Sequence, residues 1–127
     1  MTTQELYQKY PKIFELMKDG YYSISSEVPE GWMRNVDLLC ECIQGYTNNI
    51  NNNNKHLPSV PQVIAEQIKE KFAGLRFYYI GGDDKIEGMV EFAETLCEHT
   101  CMSCGKEGKQ INQNGWLSVY CDECLTK

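Results

Sequence analysis

The feature that most constrains this chain is a pair of CxxC motifs near its end. Cys101-Met-Ser-Cys104 is followed, after sixteen residues, by Cys121-Asp-Glu-Cys124. Two such pairs at this separation form a metal-binding signature. Two residues between cysteines let both sulfurs converge on one ion at about 2.3 Å, while turn N–H groups stabilise the thiolates. Gly105 lets the chain turn back without a Cβ clash. Between the pairs, Asn114-Gly115 is a strong tight-turn dipeptide, flanked by Lys109–Ile111 and Trp116–Tyr120. The expected unit is a zinc ribbon over residues 100–127, with Leu117 and Val119 on one face of its second strand. So short a segment buries too little to fold alone, so the metal must hold it.

Four cysteines close a tetrahedral shell, whereas catalytic zinc keeps an open position for water. The deaminase arrangement needs a His-x-Glu or Cys-x-Glu upstream. Cys97-Glu98-His99 has the acid adjacent instead. The expectation is therefore one structural Zn²⁺ held by Cys101, Cys104, Cys121 and Cys124. Cys40 and Cys97 read as core residues and Cys42 as an exposed thiol; His56 sits in a polar stretch, and His99 has no assigned role. There is no phosphate-binding loop, dinucleotide glycine fingerprint or HExxH. Gly81-Gly82-Asp83-Asp84 reads as a helix cap, since two aspartates repel an anion. No enzyme is expected.

Charge narrows the partners. Twelve basic residues against eighteen acidic give a net charge of −6, which argues against a phosphate-backbone binder. Residues 83–98 hold six acids and one lysine, so most of the imbalance sits there. No apolar run reaches the roughly 18–20 residues of a membrane span, and no secretory signal opens the chain. The expectation is cytoplasmic residence, where seven cysteines imply thiols or metal and not disulfides.

Hydrophobic periodicity sets out the rest. Thr2 and Glu5 fit a capping box, and two short helices are expected over about 3–9 and 11–18, with Gly20 as a stop. Residues 21–28 suit a short strand or an ordered loop. A helix from Pro29 to Tyr46 carries an apolar stripe of Trp32, Val36, Leu39, Ile43 and Tyr46. Six of residues 48–54 are Asn, which predicts a polar loop over 48–56. A helix over about 61–72 would bury Ile64, Ile68 and Phe72. Leu75–Ile80 predicts a strand, and a helix follows over 83–99, with a wide apolar face that includes Phe92 and Leu96. Opposite that face, Glu87, Glu91, Glu94 and Glu98 fall in one line. Like charges one turn apart weaken a helix, so this stripe predicts a surface for a basic protein partner. The fold class is α+β: a mainly helical domain over 1–99 with a short strand or hairpin, and a zinc ribbon that shares its core.

The segments PQVIAEQIKEKFAGLRFYYIGGDD and NGWLSVYCDEC, together with CxxCG, resemble a group of small proteins encoded by tailed phages and prophages. That group shares a KEKFGGLRFYY-type segment, a helix opened by Gly-Trp as at Gly31-Trp32, and a terminal zinc-binding CxxC pair preceded by Gly-Trp. The resemblance covers most of residues 29–124, and Phe72–Tyr79 is its specific part. Ala73 stands where glycine is frequent, expected to be without chemical consequence. Small acidic phage proteins of this type include inhibitors of bacterial immunity, among them zinc-binding anti-CRISPR proteins against type II effectors. The resemblance thus implies a non-enzymatic inhibitor that acts in the host bacterial cytoplasm on a defence nuclease. The alternative is a replication or transcription accessory module whose Lys106, Lys109, Trp116 and Tyr120 contact nucleic acid or a polymerase-type partner.

The charge balance makes a direct prediction. In gel-shift titrations at physiological salt, the isolated chain should bind duplex or single-stranded DNA weakly or not at all. Tight binding with a steep salt dependence would favour the accessory module.

Overall fold

A computed structural model describes residues 1–18, 24, 28–53 and 58–126. The expected stop at Gly20, most of the expected element at 21–28 and His56 lie outside the described residues. Helix α1 spans Thr3–Lys9 and opens with the expected box: the Thr2 side chain accepts from Glu5 N, and Glu5 reaches back to Thr2 N. Beyond it the second predicted helix shrinks to turns and one 3-10 turn at Glu15–Met17. Its apolar residues Ile13, Phe14 and Met17 are nevertheless buried.

A 3-10 turn at Glu30–Trp32 leads into helix α2, Met33–Asn53. The helix therefore runs through Asn48–Asn53, where a loop was expected. Local amide pairs support it: Gln44 donates to Asn48 and Asn53 to Asn49, each at 2.8 Å. Asn51 then exchanges hydrogen bonds with the Val60 backbone at 2.7 and 3.0 Å. Asparagine is a poor helix former, yet tertiary partners satisfy it here.

The largest departure follows. Residues expected as a helix over 61–72 form strand β1, Ile64–Lys71, antiparallel to β2, Gly74–Ile80. A β-bulge between Ala65 and Gln67 shifts the register, so Ala65 and Ile68 both point into the core. That three-residue spacing imitates a helical stripe. Phe72 and Ala73 make the two-residue turn, with φ of +53° and +65°. Both values are left-handed, as the favoured hairpin turns require. Glycine at position 73 would thus serve a backbone need, and Ala73 is not a neutral departure. Phe72, expected inside, is 71% exposed at the tip.

Helix α3, Asp84–Cys97, is capped by Asp83, whose carboxylate accepts from Ile86 N. Tyr46 of α2 donates to Asp83, which holds that carboxyl below its usual range. Asn35, near the start of α2, donates to Cys97 and Thr100. The two helices therefore run antiparallel. Strands β3, Lys109–Gln113, and β4, Trp116–Tyr120, form a second hairpin, and a short helix α4 spans Asp122–Leu125. Asn114 and Gly115 make its turn, at φ +55° and +87°. The architecture is thus mixed helix and small antiparallel sheets. One hydrophobic core gathers Leu6, Trp32, Ile43, Ile68, Leu75, Ile86 and Val119, so the C-terminal hairpin contributes to it. Among the described residues, no helix is long and apolar enough to cross a membrane.

The first hairpin turn yields a test. Phe72→Asn should raise stability by about 0.5 kcal/mol, because Asn tolerates a conformation that costs other residues about 1–2 kcal/mol. The loss of a weak, exposed contact between Lys71 and the Phe72 ring offsets part of the gain. Urea denaturation measures the change; a destabilised variant would mean that Phe72 packs against something in solution.

Candidate metal centre

Three local devices bring the four cysteines together. The first CxxC lies in a turn where Gly105 N donates to Cys101 O at 3.0 Å and Cys101 N to Lys106 O at 2.7 Å. The second opens α4, whose N-cap is Cys121 itself: its sulfur accepts from Cys124 N at 3.4 Å. The β3–β4 hairpin spans the sixteen intervening residues and returns the second pair to the first, with Met102 N donating to Val119 O at 2.9 Å.

The sulfurs of Cys101, Cys104, Cys121 and Cys124 all lie within 4.8 Å of one another. Cys104 and Cys121 are 3.6 Å apart. A tetrahedron of sulfurs around one ion at 2.3 Å has edges of about 3.8 Å, so the cluster needs only a small contraction to hold a metal. Its four soft thiolates suit a zinc or iron ion. Cys101 is buried while Cys104 is exposed. Burial alone would raise the Cys101 thiol. Hydrogen bonds from the backbone at Cys104, Cys121 and Ser103 outweigh it and hold the group down to about 6, which favours the thiolate a metal requires.

The other cysteines stand apart. Cys40 and Cys97 are fully buried, and burial pushes both thiols up, Cys97 to about 11. Cys42 is exposed. His99 is exposed too, although its carbonyl accepts from Gly108 N at 2.8 Å.

The cluster is clasped to the helical part through Gly31 and Trp32. Gly31 N donates to Met102 O at 2.9 Å, and the buried Trp32 Nε1 donates to Thr100 O at 2.8 Å. A Cβ on Gly31 would stand 2.2 Å from Cys101 O, so only glycine allows this approach. The sequence marked Gly31-Trp32 as a helix start without indicating what it touches.

The acidic stripe is placed unevenly. Glu87, Glu91 and Glu98 are exposed. Glu94 is half-buried and accepts from Phe77 N at 3.0 Å, which satisfies an edge N–H of β2. Tyr79 of β2 lies beside the stripe: burial and then the charges of Glu87, Glu94 and Glu91 raise its hydroxyl pKa. Lys106 pairs with Glu123 at 3.9 Å, and Trp116 is 75% exposed. Lys109 is exposed and Tyr120 half-buried.

Sequence reasoning missed a groove between α2 and α3, of about 390 Å³, lined by Leu38, Cys42, Gly88, Met89, Phe92 and Leu96 among others. The available signal was the breadth of the apolar face on α3, which is wider than its own chain covers. Phe92 and Leu96, expected within that face, are 69% and 39% exposed.

No family model, curated protein or solved structure matches this chain.

The geometry predicts one bound metal ion per chain, measurable by elemental analysis of purified protein. Chelation, or Cys→Ser at any of the four positions, should lower stability by several kcal/mol, since structural metal sites of this kind contribute on the order of 10 kcal/mol. Folded protein free of metal and unchanged in melting temperature would refute the site.

Proposed function

We propose that this chain is a phage-encoded, non-enzymatic inhibitor of a host defence effector, and that its four cysteines hold one structural Zn²⁺ within a zinc ribbon. A type II CRISPR nuclease is the target that the sequence resemblance favours, with action in the bacterial cytoplasm. A shell of four thiolates supports a structural ion over a catalytic one, since it leaves no position for water.

The observation that carries a protein-binding role is the charge on α3. Glu87, Glu91 and Glu98 are exposed, and among the described residues none of them forms an ion pair. Like charges along one helix cost local stability, and the macrodipole disfavours Glu98 at the C-terminal end. A basic surface on a partner relieves both costs. Such complementarity chiefly accelerates association. A DNA-binding effector carries the cationic surface that this stripe fits.

The alternative is an accessory module in replication or transcription. Trp116, exposed on β4 beside the hairpin turn, supports it as a stacking residue.

Charge reversal tests the leading reading. Glu87→Lys combined with Glu91→Lys should leave the melting temperature unchanged or slightly raised. Glu94 is spared, because its hydrogen bond to Phe77 belongs to the fold. In phage plaquing and nuclease-cleavage assays, the wild type should protect and the double variant should lose protection about tenfold or more, mainly through slower association. Full protection by the folded variant would make the stripe a solvated face only.

A further inference from the structure

The β1–β2 hairpin turns one face to the core and the other to solvent. Ile68, Leu75 and Phe77 are buried on the first face. On the second, the register sets Gln67 opposite Tyr78, Lys69 opposite Arg76 and Lys71 opposite Gly74. In a chain of net charge −6, this outer face carries Lys69, Lys71 and Arg76, and among the described residues none of them forms an ion pair. The acids of the hairpin are Glu66 and Glu70. Glu70 falls on the other face and accepts from Ala73 N at 2.9 Å, while Glu66 sits in the bulge.

The cations alternate with aromatic rings. Lys69 Nζ stands 5.7 Å from the centroid of Tyr78, and Lys71 Nζ 5.6 Å from that of Phe72. Both rings are exposed. A ring beneath an ammonium orients it without neutralising it, so both lysines keep their charge for an anion. They lie about 7 Å apart along the strand, a spacing close to that of successive phosphates on an extended polynucleotide. A Cβ on Gly74 would stand 2.6 Å from Arg76 Nη1. The guanidinium therefore lies back toward the turn and adds its charge beside Phe72.

Phe72 itself is anomalous. It is 71% exposed and holds a φ of +53°, which disfavours a bulky side chain. Packing inside the chain does not offset that strain, and strain of this kind gathers at functional sites. The ring lines a cleft of about 210 Å³ together with Glu70, Gly115, Trp116 and Leu117. The tips of the two hairpins thus meet at one opening flanked by Phe72 and Trp116, the two most exposed aromatic residues among those described.

The one charge in the cleft is Glu70. A carboxylate repels phosphate but accepts from the N–H groups on a base edge. Phosphates therefore suit the outer face and a base suits the cleft. An acidic peptide would match the lysines yet leave the rings unused, and a duplex keeps its bases stacked on one another.

We propose that the tip and outer face of the β1–β2 hairpin, with Trp116, bind single-stranded nucleic acid. Lys69, Lys71 and Arg76 take phosphates; Phe72, Trp116 and Tyr78 stack bases. This deepens the accessory-module reading, on which its biological role rests. It moves the cations from Lys106, paired with Glu123, and Lys109, at the far end of β3 from Trp116, to the first hairpin. Three cations are few, so stacking carries the affinity and binding at physiological salt is weak.

The test titrates fluorescein-labelled strands of about eight nucleotides, one of thymidylate and one of uridylate, with the full chain at low salt. Anisotropy should show micromolar binding, with a log–log salt slope of about −2 for three cations. The tighter of the two strands assigns DNA or RNA. Emission of Trp116 should be quenched, while Trp32, being buried, is not. Phe72→Asn and Trp116→Ser should keep the fold, checked by melting temperature, yet each weaken binding at least tenfold with the slope unchanged. Lys69→Gln combined with Lys71→Gln should weaken binding and reduce the slope by about 1.4. Lys106→Gln combined with Lys109→Gln should change nothing. Failure of both strands to bind, full binding by the Phe72 and Trp116 variants, or equal binding of a duplex or a polyglutamate peptide overturns the proposal. The site and the module fail separately. Binding that is lost only in the Lys106 and Lys109 variant refutes this site and leaves the module standing. Binding through the first hairpin, in a chain whose deletion leaves phage replication and transcription unaffected, refutes the module and leaves the site standing.

Discussion

The structure depends on the clasp between Gly31-Trp32 and the segment Thr100–Met102. Trp32 is fully buried, and its indole N–H ends on the Thr100 carbonyl. One residue earlier, Gly31 approaches so closely that any side chain would overlap the Cys101 carbonyl. Leaving either polar partner unpaired in the interior would cost about 1–3 kcal/mol. The clasp fixes where α2 begins, where α3 ends, and how the first CxxC turn sits against both. Cys101, the buried member of the four, is held by its neighbours' attachment to the core as well as by its own turn.

Two hairpins of marginal independent stability are carried on this frame. Each is tied down from outside. Ala65 N on β1 donates to Ile13 O at 2.8 Å, and Glu94 of α3 accepts from Phe77 N on β2. The second hairpin is joined at Met102 and Val119, and Val119 enters the common core. The four-cysteine cluster, with a metal bound, would then be a staple at one end of this packed core. Its loss should reach the Trp32 seat and so the rest of the core.

That arrangement leaves α3 with three duties. One side packs through Ile86, Val90, Ala93 and Cys97. A second side steadies β2 through Glu94. The remaining surface carries exposed charge at Glu87 and Glu91 on one side and exposed apolar area at Phe92 and Leu96 on the other. A helix anchored by a cap at Asp83 and by Asn35 at its far end presents that surface rigidly, which limits the ordering cost of binding a partner.

Where a structure is specified by residues close in sequence, the chain declared it. The Thr2–Glu5 box, the Asp83 cap, the Asn114-Gly115 turn and the spacing of the cysteines each work within a few residues, so their chemistry is legible without neighbours. The strand Leu75–Ile80 and the buried stripe of α2 were legible for the same reason. Residues 64–71 were not. Their apolar spacing fits a helix, and only the pairing with β2 and the bulge at Ala65–Gln67 make it a strand. The asparagines at 48–53 are helical because side-chain pairs along the helix and the Val60 backbone satisfy their amides. The acidic line on α3 was visible in the sequence, but its division into one structural carboxylate and three solvent-facing ones required the position of β2. The sequence by itself determined the caps, the turns and the spacing that lets four cysteines converge, because these depend on local geometry. The tertiary structure decided helix against strand, and buried face against open groove, because both depend on which distant segment arrives to cover the residues.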